Sequence, residues 1–211
     1  MAAQLIAQSP RDPRIEDWTA RIVNAVGRAD RMLVDLLDAM RVDAGQSLNL
    51  ALALCDLRKI AYDVTKDVTA RFGDRFHVEI HGPAMGYWNG DALWRVLDNL
   101  LTKAAKYGHP DSPITTRIHA TDGRTVIAVH NEGTIIPVAD QAKLFQPFHR
   151  TDIAKTSGKG GWGLGLTLVR GIVEAHKGQV MVESYPSQGT TFTVDLPVDP
   201  RESTDGRTEE K

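Results

Sequence analysis

The N-terminal part of the chain carries a hydrophobic pattern that predicts one long helix between residues 14 and 42. Apolar or small side chains recur there at alternating steps of three and four, which is the spacing of a heptad seam. The seam consists of Ile15, Trp18, Ile22, Ala25, Ala29, Met32, Leu36 and Ala39. Because it extends over about four heptads, we expect the helix to belong to an intermolecular helical bundle. The alternative is a helix that lies on the core of its own domain.

From residue 45 onward the pattern breaks into shorter segments. Period-two alternation predicts strands at residues 48–54, 76–80, 87–88, 114–121, 124–130, 180–184 and 190–196. Helical periodicity predicts helices that begin after the capping residues Asp56 and Asp91 and at Leu164, and that end near Gly73, Gly108 and Gly178. The dipeptide Asp122–Gly123 between two alternating runs is a strong hairpin signal.

These elements predict an α+β fold in three parts. Residues 1–44 form the helical segment. Residues 45–198 form a two-layer α/β sandwich, in which helices cover one face of a mixed sheet. Residues 199–211, which begin at Asp199, are almost wholly polar and are predicted to be a disordered tail.

Composition narrows the class of protein. The chain has 211 residues, of which 42% are hydrophobic and 25% charged, and its formal net charge is −2. This balance gives no electrostatic footprint for nucleic acid or for an acidic membrane surface. The single cysteine, Cys55, favours a reducing compartment. The longest apolar run, from Leu50 to Cys55, is far too short to span a bilayer. We therefore expect a cytoplasmic protein, or the cytoplasmic part of a larger one.

The densest candidate for chemistry is a glycine-rich segment at residues 157–166, with the sequence SGKGGWGLGL, which runs directly into a predicted helix. Glycines allow the backbone to approach a ligand closely, and a helix start offers unpaired N–H groups to an anion. The segment is thus predicted to hold phosphate, the alternative being a flexible turn. A dinucleotide-binding motif is excluded because no strand precedes it, and the pattern GxxxxGK[ST] is absent.

Five segments in order resemble motifs of one family. Residues 161–166 resemble the second glycine box of sensor histidine kinases, which belong to the ATPase superfamily of gyrase and the heat-shock chaperones. Residues 97–107, 131–137, 144–150 and 189–192 resemble the asparagine box, a variant first glycine box, the phenylalanine box and the closing strand motif. The resemblance covers residues 48–197. Residues 14–42 then resemble the second helix of the dimerisation and histidine-phosphotransfer bundle.

The resemblance implies an ATP-binding catalytic domain that moves the γ-phosphoryl of ATP to a histidine, for relay to a response regulator receiver domain. It implies as partners a histidine-containing bundle helix and a second copy bound through residues 14–42. The nucleotide-binding residues that it implies are Asn99, Lys106, Tyr107, Asn131, Gly133, Ile135, Phe145, Phe148, Arg150, Gly161, Trp162, Gly163, Leu164, Gly165, Leu166 and Thr191. The alternatives are a solvated helix rim for Lys106 and Tyr107, a core position for the two phenylalanines and a solvated lid charge for Arg150.

Asn99 and Lys103 are the catalytic candidates, and Lys103 departs from the family pattern. In the family, two asparagines four residues apart face the triphosphate, and the second binds Mg²⁺. Asn99 matches the first and is left as a weak metal ligand, whereas Lys103 stands at the second position. An ammonium has no lone pair for a metal, but its charge can stand where the metal would. We expect nucleotide binding with reduced Mg²⁺ dependence and poor transfer, unless Lys103 points to solvent.

Asn131 also departs from the family, whose commonest residue there is an aspartate that accepts from the adenine amino group. The asparagine oxygen can still accept that bond, and the amide can donate to a guanine carbonyl. The resemblance therefore implies ATP binding with reduced selectivity for adenine.

The sequence contains seven histidines, and none precedes the long helix in the family's phosphoacceptor context. We therefore expect the chain to act on a histidine elsewhere, or to be a catalytically impaired nucleotide-binding scaffold. A hydrolase of the gyrase or chaperone branch is disfavoured, because that branch has a glutamate at the position of Asn99. Both kinase and scaffold require the rim of the 91–107 helix and the start of the 164–176 helix to meet at one cavity.

Overall fold

The computed structural model describes residues 15–121, 123–149, 151 and 162–201. Within these residues the helices are α1 (Ile15–Asp43), α2 (Leu57–Phe72), α3 (Gly90–Tyr107), α4 (Val138–Gln141) and α5 (Gly165–Ala175). The strands are β1 (Ala53–Asp56), β2 (Phe76–His81), β3 (Met85–Trp88), β4 (Ile114–Thr121), β5 (Arg124–Asn131), β6 (Gln179–Tyr185) and β7 (Gly189–Pro197).

Five strands form one mixed sheet in the order β2-β4-β5-β7-β6. Strands β2 and β4 run parallel, and the other neighbours are antiparallel. Strands β1 and β3 form a separate antiparallel pair. The α+β prediction, a mixed sheet with helices on one face and a long helix before it, is confirmed.

The core lies between this sheet and helices α2, α3 and α5. Ile127 and Val129 on β5 and Val194 on β7 are fully buried against the helices, whereas their neighbours Arg117 and His119 on β4 face solvent. The apolar side of α3 is buried as predicted, with Leu93, Leu97, Leu100, Leu101 and Ala104 in the core. The polar rim of α3 is therefore held in place by a packed face behind it.

Capping groups fix both ends of the central helices. The Arg58 N–H donates to Asp56 Oδ1 (2.9 Å), which confirms the predicted start of α2. Helix α3 begins earlier than predicted, because its cap is Asn89 and not Asp91. The Asn89 backbone is extended, and its side-chain oxygen accepts from the Ala92 N–H (2.9 Å).

A buried histidine joins the end of α5 to the start of α3. The Asn89 N–H donates to His176 Nε2 (2.9 Å), and the His176 Nδ1–H donates to the Ile172 carbonyl oxygen (2.8 Å). Burial lowers the pKa of His176, because the charged imidazolium would lose its hydration there. The neutral ring thus ties together the two helices that carry the candidate site.

The strand predicted at residues 48–54 is wrong for most of its length. Sheet pairing begins only at Ala53, which lies opposite Trp88. Leu48 is nevertheless buried and Leu50 partly so. The alternation therefore reflects alternate burial of an irregular segment, not pairing with a second strand.

The first residues of the tail predicted from Asp199 include a contact with the domain. The Arg201 guanidinium is hydrogen-bonded to the Asp199 carboxylate (2.6 Å) and stacks over the Tyr87 ring, 3.3 Å from its centroid. Residues 202–211 lie outside the described part of the chain.

Helix α1 packs against α5 and is tied to α3, so the structure supports the alternative of a helix on its own domain. The Arg95 guanidinium on α3 pairs with Asp35 (2.7 Å) and Asp38 (2.8 Å). Ala39 and Val42 are buried, and Val42 lies directly against Gly171 of α5. At Ala39, the seam predicted to form a bundle therefore faces the α/β sandwich.

A second stripe along α1 leaves apolar side chains exposed at alternating steps of three and four. This surface, called here the outer seam, consists of Val23, Val26, Leu33, Leu37 and Met40, and Leu33 at its edge also lines the cavity described below. Its spacing is that of a second heptad stripe, in which Asp30 takes one position. Among the described helices, none has a stretch long and apolar enough to cross a bilayer.

Candidate functional site

A cavity of about 920 Å³ opens between the rim of α3, the start of α5, the adjoining ends of β5 and β7, and α1. The predicted site residues that line it are Asn99, Lys103, Lys106, Tyr107, Asn131, Ile135, Phe148, Trp162, Gly163, Leu164, Gly165 and Leu166. Most of the predicted residues thus meet in one place, although they come from segments far apart in the chain.

The rim of α3 and the start of α5 are in direct contact. A Cβ added to Gly165 would collide with Asn99 Oδ1 and would lie 3.8 Å from Lys103 Cε. Glycine suits this position, because a larger side chain would have to displace the side chain of Asn99. The side-chain amide of Asn99 donates back to the Arg95 carbonyl oxygen (2.9 Å), which leaves its oxygen to face α5.

The start of α5 is not capped by a side chain. Its first backbone hydrogen bond runs from the Leu168 N–H to the Leu164 carbonyl oxygen (3.0 Å). The N–H groups of the first turn precede that bond, so they are available to an anion in the cavity. Helix α5 has 11 residues, long enough for its dipole to favour negative charge at this end.

Phe148 of the phenylalanine segment lies against Gly163 of the glycine-rich segment. This glycine has φ = 75°, and a Cβ there would lie 2.8 Å from the Phe148 carbonyl carbon. Phe148 itself has φ = 58° and is 61% exposed at the mouth of the cavity. This contact fixes the position of Gly163, near the end of the glycine-rich segment, relative to the phenylalanine segment.

Asn131 lies at the opposite end of the cavity and is 4% exposed. Its side-chain nitrogen donates to the Glu132 carbonyl oxygen (3.2 Å), so its side-chain oxygen is the acceptor that it can offer to a ligand. The neighbouring backbone is fixed against the end of α3, because the His109 N–H donates to the Glu132 carbonyl oxygen (2.7 Å). This end is polar but not charged.

These features match a known family model. Residues 89–200, more than half of the chain, match the histidine kinase-, DNA gyrase B- and HSP90-like ATPase family. The chain belongs to this family. The matched residues include α3, α5, β5 and β7, which together form what is called here the inner wall of the cavity.

Individual relatives support the assignment. The probable sensor histidine kinase TcrY of Mycobacterium tuberculosis is 33% identical over 182 residues, covering 85% of this chain and 38% of TcrY. The mycobacterial sensor histidine kinase MprB is 26% identical in a solved structure, with a TM-score of 0.63 over 71% of this chain and 99% of MprB. The resemblance to sensor histidine kinases is thus confirmed, and the chain spans less than half the length of TcrY.

A third comparison reaches α1. The histidine kinase ThkA, solved in complex with the response regulator protein TrrA, has a TM-score of 0.64 at 19% identity. The superposition covers 96% of this chain and 58% of ThkA, and it shows a shared fold.

Three predicted site residues of this ATPase-family domain lie outside the main cavity. Phe145 packs edge-on against Phe192 (6.5 Å between ring centroids), so the alternative of a core position holds for it. Gly133 lines a smaller pocket behind the Asn131 end. Thr191 faces the open side of the sheet, where its hydroxyl is 2.9 Å from His130 Nδ1. Arg150 and Gly161 lie outside the described residues.

The residue beside Thr191 lines the cavity in its place. Thr190 is buried opposite Asn131 in the β5–β7 register, and its hydroxyl is 2.8 Å from the Ser184 hydroxyl. Ser184 in turn accepts from the Ile136 N–H (2.9 Å). The alternation of side chains along β7 indicates that Thr190 faces inward, because it shares a face of the strand with the buried residues Phe192 and Val194.

The contribution of α1 to the cavity, called here its outer wall, was not predicted from the sequence. Ala29, Met32, Leu33 and Leu36 of α1 line it from the side opposite β5. The heptad pattern gave no sign of this, because contact with a distant segment is not encoded in local spacing.

The described residues do not fit the Mg²⁺ ion that is usual in this family. They contain no group of three or more histidine, cysteine or acidic side chains able to hold a metal. The carboxylate at the cavity wall, Asp35, is paired with Arg95 (2.7 Å). Asn99 offers one neutral oxygen, and the ammonium of Lys103 lies one turn further along α3. Since an ammonium has no lone pair, Lys103 cannot serve as a metal ligand.

Proposed function

We propose that the cavity binds ATP and that the chain is the catalytic region of a two-component sensor histidine kinase. In this role it transfers the γ-phosphoryl of ATP to a histidine supplied outside the chain, for relay to an aspartate of a response regulator receiver domain. The observation that carries the proposal is the contact of Asn99 and Lys103 with the uncapped start of α5. Family membership and the complex of ThkA with a response regulator support it.

The two ends of the cavity suit the two ends of ATP. The triphosphate is expected at the first-turn amides of α5, where Lys103 and Lys106 add positive charge. The base is expected near Tyr107 and Asn131. The Asn131 nitrogen donates one of its two hydrogens to Glu132, and its oxygen can accept from an adenine amino group. The second hydrogen can still donate to a guanine carbonyl, so the reduced selectivity expected from the sequence stays a prediction.

We propose that the acceptor histidine comes from another segment or another chain. His176 is fully buried and used by α3 and α5. His77, His81 and His119 are on the face of the sheet that the helices leave open, away from the cavity. We propose as partners a histidine-containing bundle helix and a receiver domain, with the reaction in the cytoplasm.

A second candidate is a nucleotide-binding scaffold that regulates a partner without transferring phosphate. Lys103 favours it, since an ammonium cannot bridge and neutralise the transferring phosphoryl group as a metal ion does.

Radiolabelled transfer distinguishes the two functions. The chain is incubated with [γ-³²P]ATP and a separately added helical bundle that carries the acceptor histidine of a related kinase. Acid-labile label on the bundle supports the kinase, whereas nucleotide binding without label supports the scaffold. Gly165→Val is the control, because its side chain fills the contact between α3 and α5 and should abolish both binding and label. Absence of binding to the unsubstituted chain contradicts both functions.

A further inference from the structure

We propose that the Lys103 ammonium takes the place of a divalent cation, so that this chain binds a nucleoside triphosphate without Mg²⁺. The inference rests on the proposed function, namely on ATP in this cavity, and it specifies what holds the phosphates there. It starts from the disagreement between the family's usual metal and the side chains that surround the cavity.

The position of Lys103 is set by the packing of two helices. Its Cα belongs to the rim of α3, whose opposite face is buried in the core. Its side chain is half-buried and reaches the start of α5, where Cε would be 3.8 Å from a Cβ on Gly165. The terminal ammonium, one bond beyond Cε, is thereby kept beside the first-turn amides. A phosphate bound by those amides lies within reach of this charge.

Two lysines supply positive charge at the phosphate end. Lys103 and Lys106 are one turn apart on the rim of α3, and both line the cavity. The carboxylate of Asp35 is paired with Arg95, which it shares with Asp38. Two ammonium groups and the helix dipole therefore face the polyphosphate.

The same arrangement works against a divalent cation. An ion held by Asn99 Oδ1 would lie next to the Lys103 ammonium, and two like charges at that separation repel each other. Mg²⁺ that keeps water and phosphate oxygens as ligands is usually anchored by one or two carboxylates, and the carboxylate at the described cavity wall, Asp35, is already paired with Arg95. The lysine thus lowers the affinity for the metal while it raises the affinity for the bare nucleotide.

Calorimetric titration of the 211-residue chain with ATP, once in EDTA and once in excess Mg²⁺, tests the proposal. We expect ATP to bind at least as tightly in EDTA as in excess Mg²⁺, because an ion that the chain excludes withdraws free ATP from it. Lys103→Met keeps the length of the side chain but removes its charge, and it should weaken binding in EDTA by about tenfold or more. Lys66→Met, on the exposed side of α2, is the matched control and should change neither constant. Melting temperatures establish that each variant is folded.

Lys103→Asn provides the converse test. This variant should bind ATP poorly in EDTA and recover in Mg²⁺, and with Mn²⁺ it should give a nucleotide-dependent bound-ion signal in electron paramagnetic resonance. The unsubstituted chain should give no such signal. If it binds ATP more weakly in EDTA than in Mg²⁺, or binds Mn²⁺ together with ATP, the proposal is wrong while the proposed ATP site stands. If no nucleotide binds in either buffer, both fail.

Discussion

The cavity has two walls that differ in how firmly the rest of the protein holds them. The inner wall is formed by α3, α5, β5 and β7, and the side chains behind it, such as Leu97, are fully buried in the core. The outer wall is α1, whose cavity-lining residues Met32 and Leu33 remain 48% and 58% exposed. The groups expected to touch phosphate and base are all on the inner wall.

The outer wall is attached to the inner one by contacts that include the pairing of Arg95 with Asp35 and Asp38 and the packing of Val42 on Gly171. Because its cavity-lining side chains remain exposed, we expect this wall to separate without unfolding of the sandwich. The core therefore preorganises the proposed nucleotide site, whereas we expect access to it to depend on α1.

The largest expected difference between the two walls is in core substitution. Leu97→Ala removes a fully buried side chain behind the inner wall and should lower the free energy of unfolding by about 2–5 kcal/mol. Leu37→Ala is the matched control on α1, where the leucine is 57% exposed, and should cost less than about 1 kcal/mol. Urea unfolding measures both. Equal losses would mean that α1 belongs to the same cooperative core.

The next largest effect is expected at the link between the walls. Arg95→Met removes the partner shared by Asp35 and Asp38, of which Asp38 keeps only the longer pairing with Arg41 (3.9 Å), and it should cost about 1–3 kcal/mol. Because the link holds α1 and not the sandwich, limited proteolysis should cut α1 sooner while the sandwich stays intact. Arg117→Met, which breaks a similar but exposed pair with Glu79, should cost less than about 1 kcal/mol and leave α1 uncut. Unchanged cleavage in Arg95→Met would show that other contacts hold the helix.

The inner wall was largely predictable from sequence, because its signals are local. Periodicity and turn chemistry within short windows predict the apolar side of α3 and the hairpin that places β5 beside β4. The same local signals predict the end of the neighbouring helix α2 at Gly73. The glycine-rich segment and Asn99 pointed to a common site through the family resemblance. Their contact across α3 and α5 needed the fold.

The outer wall was not predictable, because it depends on which side of α1 meets the domain. The heptad spacing fits both the predicted seam and the outer seam, and only distant partners separate them. Arg95 and Asp35 are 60 residues apart in sequence, and no local rule pairs them. The choice of Asn89 over Asp91 as the cap of α3 likewise depends on the bond from Asn89 to His176.

A smaller, pH-dependent effect should distinguish the inner wall from α1. The native pKa of His176 is lowered by burial, so below the ordinary value of about 6.5 the unfolded chain binds a proton that the native protein does not. Stability from this residue is therefore complete above that pH and declines on acidification until the lowered native pKa is reached. One such proton accounts for at most about 1.4 kcal/mol per pH unit.

Unfolding of His176→Gln in urea between pH 7.5 and 5 checks this. The variant should be less stable at neutral pH and should show a shallower loss of stability on acidification than the unsubstituted chain. His77→Gln, at an exposed position on β2, is the control and should keep the original slope. An unchanged slope in His176→Gln would show that the pH dependence arises elsewhere.

The smallest effect on folding is expected at the outer seam, although its effect on assembly is expected to be large. Met40 is 56% exposed in the single chain, so Met40→Gln should change the free energy of unfolding in dilute solution by less than about 0.5 kcal/mol. If two copies associate through α1, as the family resemblance implies, we expect the heptad-spaced side chains of the outer seam to form the interface. Light scattering over a concentration series should then show a dimer that Met40→Gln weakens. A chain that stays monomeric at every concentration would contradict this interface, and the outer seam would then have no role in self-association.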